Sequence, residues 1–232
     1  MKHGLCVLLI GVAQVAIAAS GILPFPWLFL WSGLAWIAAA VSYSGVGPRV
    51  VFGKGVDGRL GLVNTALMLP YLLPSWGLWH LQRLTSREDV CNEIVDGVWL
   101  GRRCSGRRLP ANIASVVDMT CEFAERREVV NGRRYLSVPT PDGHVPKLRQ
   151  LSEAVEEAAM STGPLYVHCA VGHGRSAMFV AALLLRRGLA ADVDEAEAII
   201  KVRRPLVQVN QSQRRLLAAY AATAGARADS RG

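Results

Sequence analysis

The chain has 232 residues, 26 Lys+Arg against 18 Asp+Glu, a formal net charge of +8, and is 51% hydrophobic and 19% charged. That length holds one or two domains, and so apolar a composition excludes a disordered chain. Five cysteines are too few for a dense disulfide scaffold. The charge is unevenly spread: residues 1–80 hold only Lys2, Arg49, Lys54, Asp57 and Arg59, yet five of the six tryptophans. The remaining two-thirds is charged and long enough to bury a core of its own.

No Asp, Glu, Lys or Arg lies between His3 and Arg49, which is room for two spans of about 20 residues each. Gly21, Pro24 and Pro26 break that stretch. Residues 5–21 and 27–43 are therefore predicted as the two arms of an α-helical transmembrane hairpin occupying 1–47, with Trp27, Trp31 and Tyr43 at the interfaces. The alternative for residues 1–20 is a secretory signal, given Lys2 and the small residues Ala16, Ala18, Ala19 and Ser20. Arg49, Lys54 and Arg59 mark loop 45–59 as cytoplasmic. Residues 60–79 carry no formal charge but contain Pro70 and Pro74, and Arg83 and Arg87 follow. Positive flanks on both sides favour a re-entrant or interfacial segment over a third span. Residues 48–90 thus form a basic loop, a third apolar segment and a linker. The expected location is a multi-pass membrane protein with the charged domain on the cytoplasmic side. A transporter is disfavoured, because the spans lack the ionisable residues of transport sites.

From residue 91 to 224, β-branched and aromatic runs alternate with helical patterns. Strands are predicted at 97–101, 113–118, 135–138 and 165–168, and helices at 147–160, 175–187, 193–202 and 211–222. Leu216, Leu217 and Tyr220 supply the last helix with an apolar face. The alternation specifies an α/β domain with a central sheet flanked by helices. Residues 225–232 read as a disordered tail.

Chemistry concentrates in LYVHCAVGHGRSA, residues 165–177. A strand ends at His168, a loop carries Cys169, Ala170, Val171, Gly172, His173 and Gly174, and a helix begins near Arg175. Glycines let successive amides turn inward as an anion cradle, and the helix N-terminus adds partial positive charge. A cysteine at the mouth of such a loop is a thiolate near neutral pH. Arg175, six positions on, returns to the mouth with a fork that fits two phosphate oxygens.

HCAVGHGRSA resembles the His-Cys-x5-Arg-Ser signature of cysteine-dependent phosphatases, and the chain resembles the dual-specificity branch of the protein tyrosine phosphatase superfamily over residues 92–222. EIVDGVWLG (93–101) looks like the opening strand of that domain. VPTPDGHVP (138–146) looks like its general-acid loop. RRPLVQVNQSQ (203–213) is similar to its late loop, with Val209 where many members have proline. The resemblance implies Cys169 as nucleophile, Arg175 and the amides of 170–175 as the phosphate cradle, and Asp142 as general acid. It further implies Ser176 as thiolate stabiliser and His168 as a residue that orients the loop. No metal or organic cofactor is required.

Other readings stand beside these. Asp142 lies in Pro-Asp-Gly, a common turn. Asp118, at a strand end, competes with it but reads as structural. Cys6, Cys91, Cys104 and Cys121 show no metal spacing, and free thiols fit a reducing compartment. His144 and His173 sit in loops, the latter placed to shape substrate choice. Asn210 and Gln213 position water or cap a helix. Paired arginines such as 203–204 are usually a solvated surface, and near a bilayer attract anionic lipid. Nothing indicates nucleic acid, and oligomeric state is not legible. The substrate expected is a phospholipid monoester such as phosphatidylglycerophosphate. SVVDMTCEFAE (115–125) and the Asp142-to-Pro146 spacing are similar to the branch that hydrolyses that lipid. The alternatives are a phosphoprotein phosphatase and, less favoured, an inactive phosphate-binding adaptor.

Overall fold

The computed structural model describes residues 2–44 and 47–229. Contacts divide the chain into two units: Met1–Gly55 with Arg59–Ser86 and Cys121–Ala124, and Val56–Gly58 with Arg87–Thr120 and Glu125–Gly232.

The first unit is helical. Lys2–Ala19 (α1) and Pro26–Val41 (α2) form the expected hairpin, followed by Pro48–Phe52 (α3) and Leu62–Thr85 (α4). The arms of the hairpin meet at Gly11 and Gly33, where an added Cβ on either would come within 2.8 Å of the other's carbonyl oxygen. The third apolar segment, residues 60–79, lies in one helix: α4 runs through Pro70 and Pro74. The Trp31 indole donates to Leu67 O at 3.0 Å and ties α2 to it. Many large apolar side chains stay exposed, among them Leu5, Leu9, Leu34, Leu62, Val63 and Leu67.

The expected spans are helices, but among the described residues no helix is long and apolar enough to cross a membrane. Length and composition give the reason. α2 has 16 residues, about 24 Å at 1.5 Å per residue, short of the roughly 30 Å hydrocarbon core. α1 begins on Lys2 and His3, and α4 carries Asn64, His80, Gln82 and Arg83.

The second unit is α/β. Cys91–Val95 (β1), Val98–Arg102 (β2), Ser115–Thr120 (β3), Arg134–Thr140 (β4) and Leu165–Cys169 (β5) form one sheet in the order β1-β2-β5-β3-β4. β1 is antiparallel to β2, and the other pairings are parallel. The single opening strand expected over 93–101 is a hairpin instead, turned at Gly97 with φ +70°, a conformation that glycine adopts without steric cost. Arg127–Val130 (α5) is one turn. Leu148–Ala159 (α6), Arg175–Arg186 (α7), Val193–Arg203 (α8) and Gln211–Asp229 (α9) are the long helices. α9 runs past the expected end at 222 through much of the predicted tail, because its alanines favour helix; residues 230–232 lie outside the described residues.

The sheet's two faces follow the strand's two-residue period. Val117, Met119, Leu165, Val167 and Cys169 join the main core with α7, whose residues from Arg175 to Leu184 are all buried. Val116 and Tyr166 join a second cluster with Leu109, Ile113 and Val129. β5 is thus central and packed on both sides, and its carboxyl end, where parallel sheets commonly bind ligands, delivers Cys169.

Candidate active site

Loop 169–174 links β5 to α7, and every residue the sequence pointed to around it converges. Cys169 is 3% exposed. Its Sγ accepts hydrogen bonds from Gly172 N–H (3.2 Å) and the Ser176 hydroxyl (3.3 Å). Burial pushes the thiol pKa up, but the Arg175 guanidinium, Ser176 and the Gly172 amide outweigh it and hold it below the ordinary thiol value. The contrast with the other thiols is chemical. Burial raises Cys91, and raises Cys104 to about 11, so neither has the surroundings of a nucleophile.

Arg175, 1% exposed, donates to Thr140 O at 2.8 Å and lies 3.1 Å from Asp142 Oδ1. The end of β4 therefore aims the guanidinium while the loop after it brings Asp142 alongside. Asp142 itself is largely exposed, as a group that must meet substrate should be. Asn210 and Gln213 form a reciprocal cap at the start of α9: each side chain accepts the other's backbone N–H at 3.0 Å. Their amide groups also donate to Gly143 O (2.9 Å) and His144 O (3.4 Å), so they hold the Asp142 loop. Val209, in place of proline, is buried in the main core.

Gly172 is required twice. Its φ is +84°, and a Cβ there would lie 2.5 Å from Gly101 C and 2.6 Å from Gly101 O. We expect Gly172→Ala to lower kcat about 10²-fold, the scale of losing one oriented amide. Steady-state kinetics with a melting curve would check this; wild-type kcat would show that the loop tolerates a side chain.

Three residues behind the loop escaped the sequence reading. Arg204, expected on a solvated surface, is 1% exposed. It donates to Gly172 O (2.9 Å), Val171 O (3.3 Å), Asp89 O (3.1 Å) and Asn92 Oδ1 (2.8 Å), and so holds the loop's carbonyls away from the anion. His173 pairs with Glu88 at 2.5 Å. Glu125 lies 3.2 Å from His168 Nε2. His168 and Asp118 are fully buried, and Asp118 accepts from Thr120 N–H, the Thr120 hydroxyl and the Tyr135 hydroxyl. Asp118 is thus structural, as expected. The ligand atoms of Asp118, Glu125 and His168 lie within 4.8 Å of one another. Arg103 Nε, 3.8 Å from Glu125, already places a cation beside that carboxylate.

A cysteine whose thiol pKa is held down by an adjacent arginine, a serine hydroxyl and a loop amide, with a carboxyl group on a facing loop, suits phosphate-ester hydrolysis. Residues 109–223 match the family model of the dual specificity phosphatase catalytic domain. The second unit belongs to the protein tyrosine/dual-specificity phosphatase superfamily, and the chain is a cysteine-dependent phosphatase acting on phosphomonoesters. Among solved structures it is similar to that of PTPMT1 (28% identity, TM-score 0.55, 60% of this chain and 99% of that one). It is also similar to PTPMT1 in complex with PI(5)P (26%, 0.54, 60% and 99%) and to Tk-PTP in its active form (26%, 0.51, 57% and 97%). No curated protein matches the chain.

Proposed function

We propose that the enzyme hydrolyses a phospholipid headgroup monoester, such as phosphatidylglycerophosphate, and that its N-terminal unit holds it on a membrane. Cys169 Sγ attacks phosphorus, the bond to the leaving oxygen breaks, and Asp142 gives that oxygen its proton. Water then attacks the cysteinyl-phosphate, Asp142 takes a proton back, and phosphate leaves as the thiolate returns beside Ser176. Arg175 and the loop amides hold the equatorial oxygens throughout. Phosphate oxygens replace Asp142 on the guanidinium, which frees the acid for transfer. His168 orients the loop from behind.

One observation carries the lipid reading: the chain that bears this site also bears helices with large exposed apolar side chains, from Leu5 on α1 to Leu84 at the end of α4. Exposed apolar side chains in such number usually meet a membrane or a partner. Similarity to PTPMT1, crystallised with PI(5)P, supports a lipid phosphate in the site. Arg49, Lys54 and Arg59 favour the cytoplasmic leaflet, which protease digestion of intact and permeabilised cells would test.

The deciding assay offers phosphatidylglycerophosphate in mixed micelles and a phosphotyrosine peptide at matched concentrations. A large preference for the lipid is expected; a preference for the peptide would make the enzyme a phosphoprotein phosphatase instead. Asp142→Asn should lower kcat about 10²-fold on the lipid, whose leaving alkoxide needs a proton. It should act far less on para-nitrophenyl phosphate, whose leaving group does not. Equal losses on both substrates would remove Asp142 from the acid role.

A further inference from the structure

The tip of the basic loop, Val56–Gly58, groups by contacts with the catalytic unit, although it lies outside the residues that match the phosphatase family model. Gly58 O accepts the Glu125 N–H at 2.7 Å. Gly58 has φ +78°, and a Cβ on it would lie 2.6 Å from the Tyr135 hydroxyl and 2.9 Å from Glu125 Cβ. The tip therefore rests directly on two residues of the buried cluster behind the nucleophile.

That cluster reaches Cys169 by two routes. Glu125 Oε2 lies 3.2 Å from His168 Nε2, and Asp118 Oδ1, held from its other oxygen by Tyr135, lies 4.0 Å from the same nitrogen. His168 is the neighbour of Cys169 in β5. Arg103, 3.8 Å from Glu125, donates its own backbone N–H to Cys169 O at 2.8 Å. Among the described residues, the groups facing Glu125 and His168 include Asp118 from β3, Tyr135 from β4, Arg103 and Cys104 after β2, the Arg126 N–H and the stacked Tyr166 ring from β5. Burial first, then Asp118, push the Tyr135 hydroxyl far above the usual tyrosine range, so it stays a donor. Buried carboxylates demand fixed partners, and the tip closes the side on which Glu125 and Tyr135 meet.

We propose that Val56–Gly58 is a positioning element of the active site, which seats Glu125 and Tyr135 against His168 and so fixes the end of β5 that presents Cys169. The element comes from the N-terminal region, so the catalytic machinery extends beyond the phosphatase domain proper. The proposal rests on Cys169 as nucleophile. That reading fails if Cys169→Ser stays active, whereas this one fails on the variants below.

The test uses the full chain in detergent with para-nitrophenyl phosphate, and follows iodoacetamide alkylation of Cys169 against pH by mass spectrometry. Gly58→Ala should lower kcat about tenfold or more, since small misplacements of reacting groups are costly, with KM within about twofold. The alkylation midpoint should move up, because a displaced thiolate loses alignment with Arg175, Ser176 and Gly172. Val50→Ala, at an exposed side chain on α3 outside the element, should change neither. Glu125→Gln, which keeps shape, should act in the same direction, and the double variant should be no worse than the stronger single one. A wild-type kcat and alkylation profile in Gly58→Ala, or additive losses in the pair, would overturn the proposal. If Gly58→Ala does not fold, Glu125→Gln decides in its place: an unchanged profile overturns the proposal and a shifted one upholds it.

Discussion

Cys169→Ser is expected to lower kcat on the order of 10⁴-fold or more, the scale on which removal of a catalytic nucleophile acts. Everything around the sulfur serves an anion: the Ser176 hydroxyl and Gly172 amide donate to it, and Arg175 favours its charged form. A serine hydroxyl in the same place stays protonated and cannot form the ester intermediate at a useful rate. Substrate affinity should survive, because the cradle is intact. The same environment sets the pH dependence. A depressed thiol pKa keeps the thiolate populated below the ordinary thiol range, so the acidic limb of kcat/KM should lie below that range. Phosphate release by the two proteins across pH checks both statements. Retained hydrolysis by Cys169→Ser would end the cysteine mechanism.

Arg175→Lys is expected to cost about 10³-fold in kcat/KM, near the upper end for loss of an oriented donor. The guanidinium uses one nitrogen on Thr140 O while another faces Asp142 Oδ1, the edge that substrate oxygens would occupy. A lysine ammonium is a point charge that cannot do both. It also leaves Thr140 O, on a fully buried residue, without that donor. The variant should bind inorganic vanadate more weakly as well, since vanadate needs the same fork. Near wild-type kcat/KM would show that charge alone, not bidentate geometry, is what the site uses.

Exposed side chains such as Leu62 and Val63 fit an enzyme that works at a lipid surface, where effective substrate concentration rises. Flotation of the purified protein with vesicles of anionic lipid should carry it upward.

How far the sequence could be read depended on the range of the interactions. The Cys169-to-Ser176 loop was legible because its function is local: a thiol, amides freed by glycine, an arginine and a helix start, all within eight residues. The α/β order was legible because strand and helix periods differ, and the hairpin of α1 and α2 because Gly21, Pro24 and Pro26 interrupt an apolar run. The helix through Pro70 and Pro74 was not, since proline's local cost gave no sign of the surroundings that would accept it. Nor were the supports of the site. Arg204 looked like a surface arginine beside Arg203, until a partner 32 residues away and another 115 away buried it. Glu88 finds His173 across 85 residues, and Gly58 finds Tyr135 with no pattern linking the two. The local sequence thus indicated the reaction and named the residues that gather at the carboxyl end of β5. Only the tertiary structure decided what holds them, because backing contacts depend on which distant side chains burial forces together and leave no periodic trace in the chain.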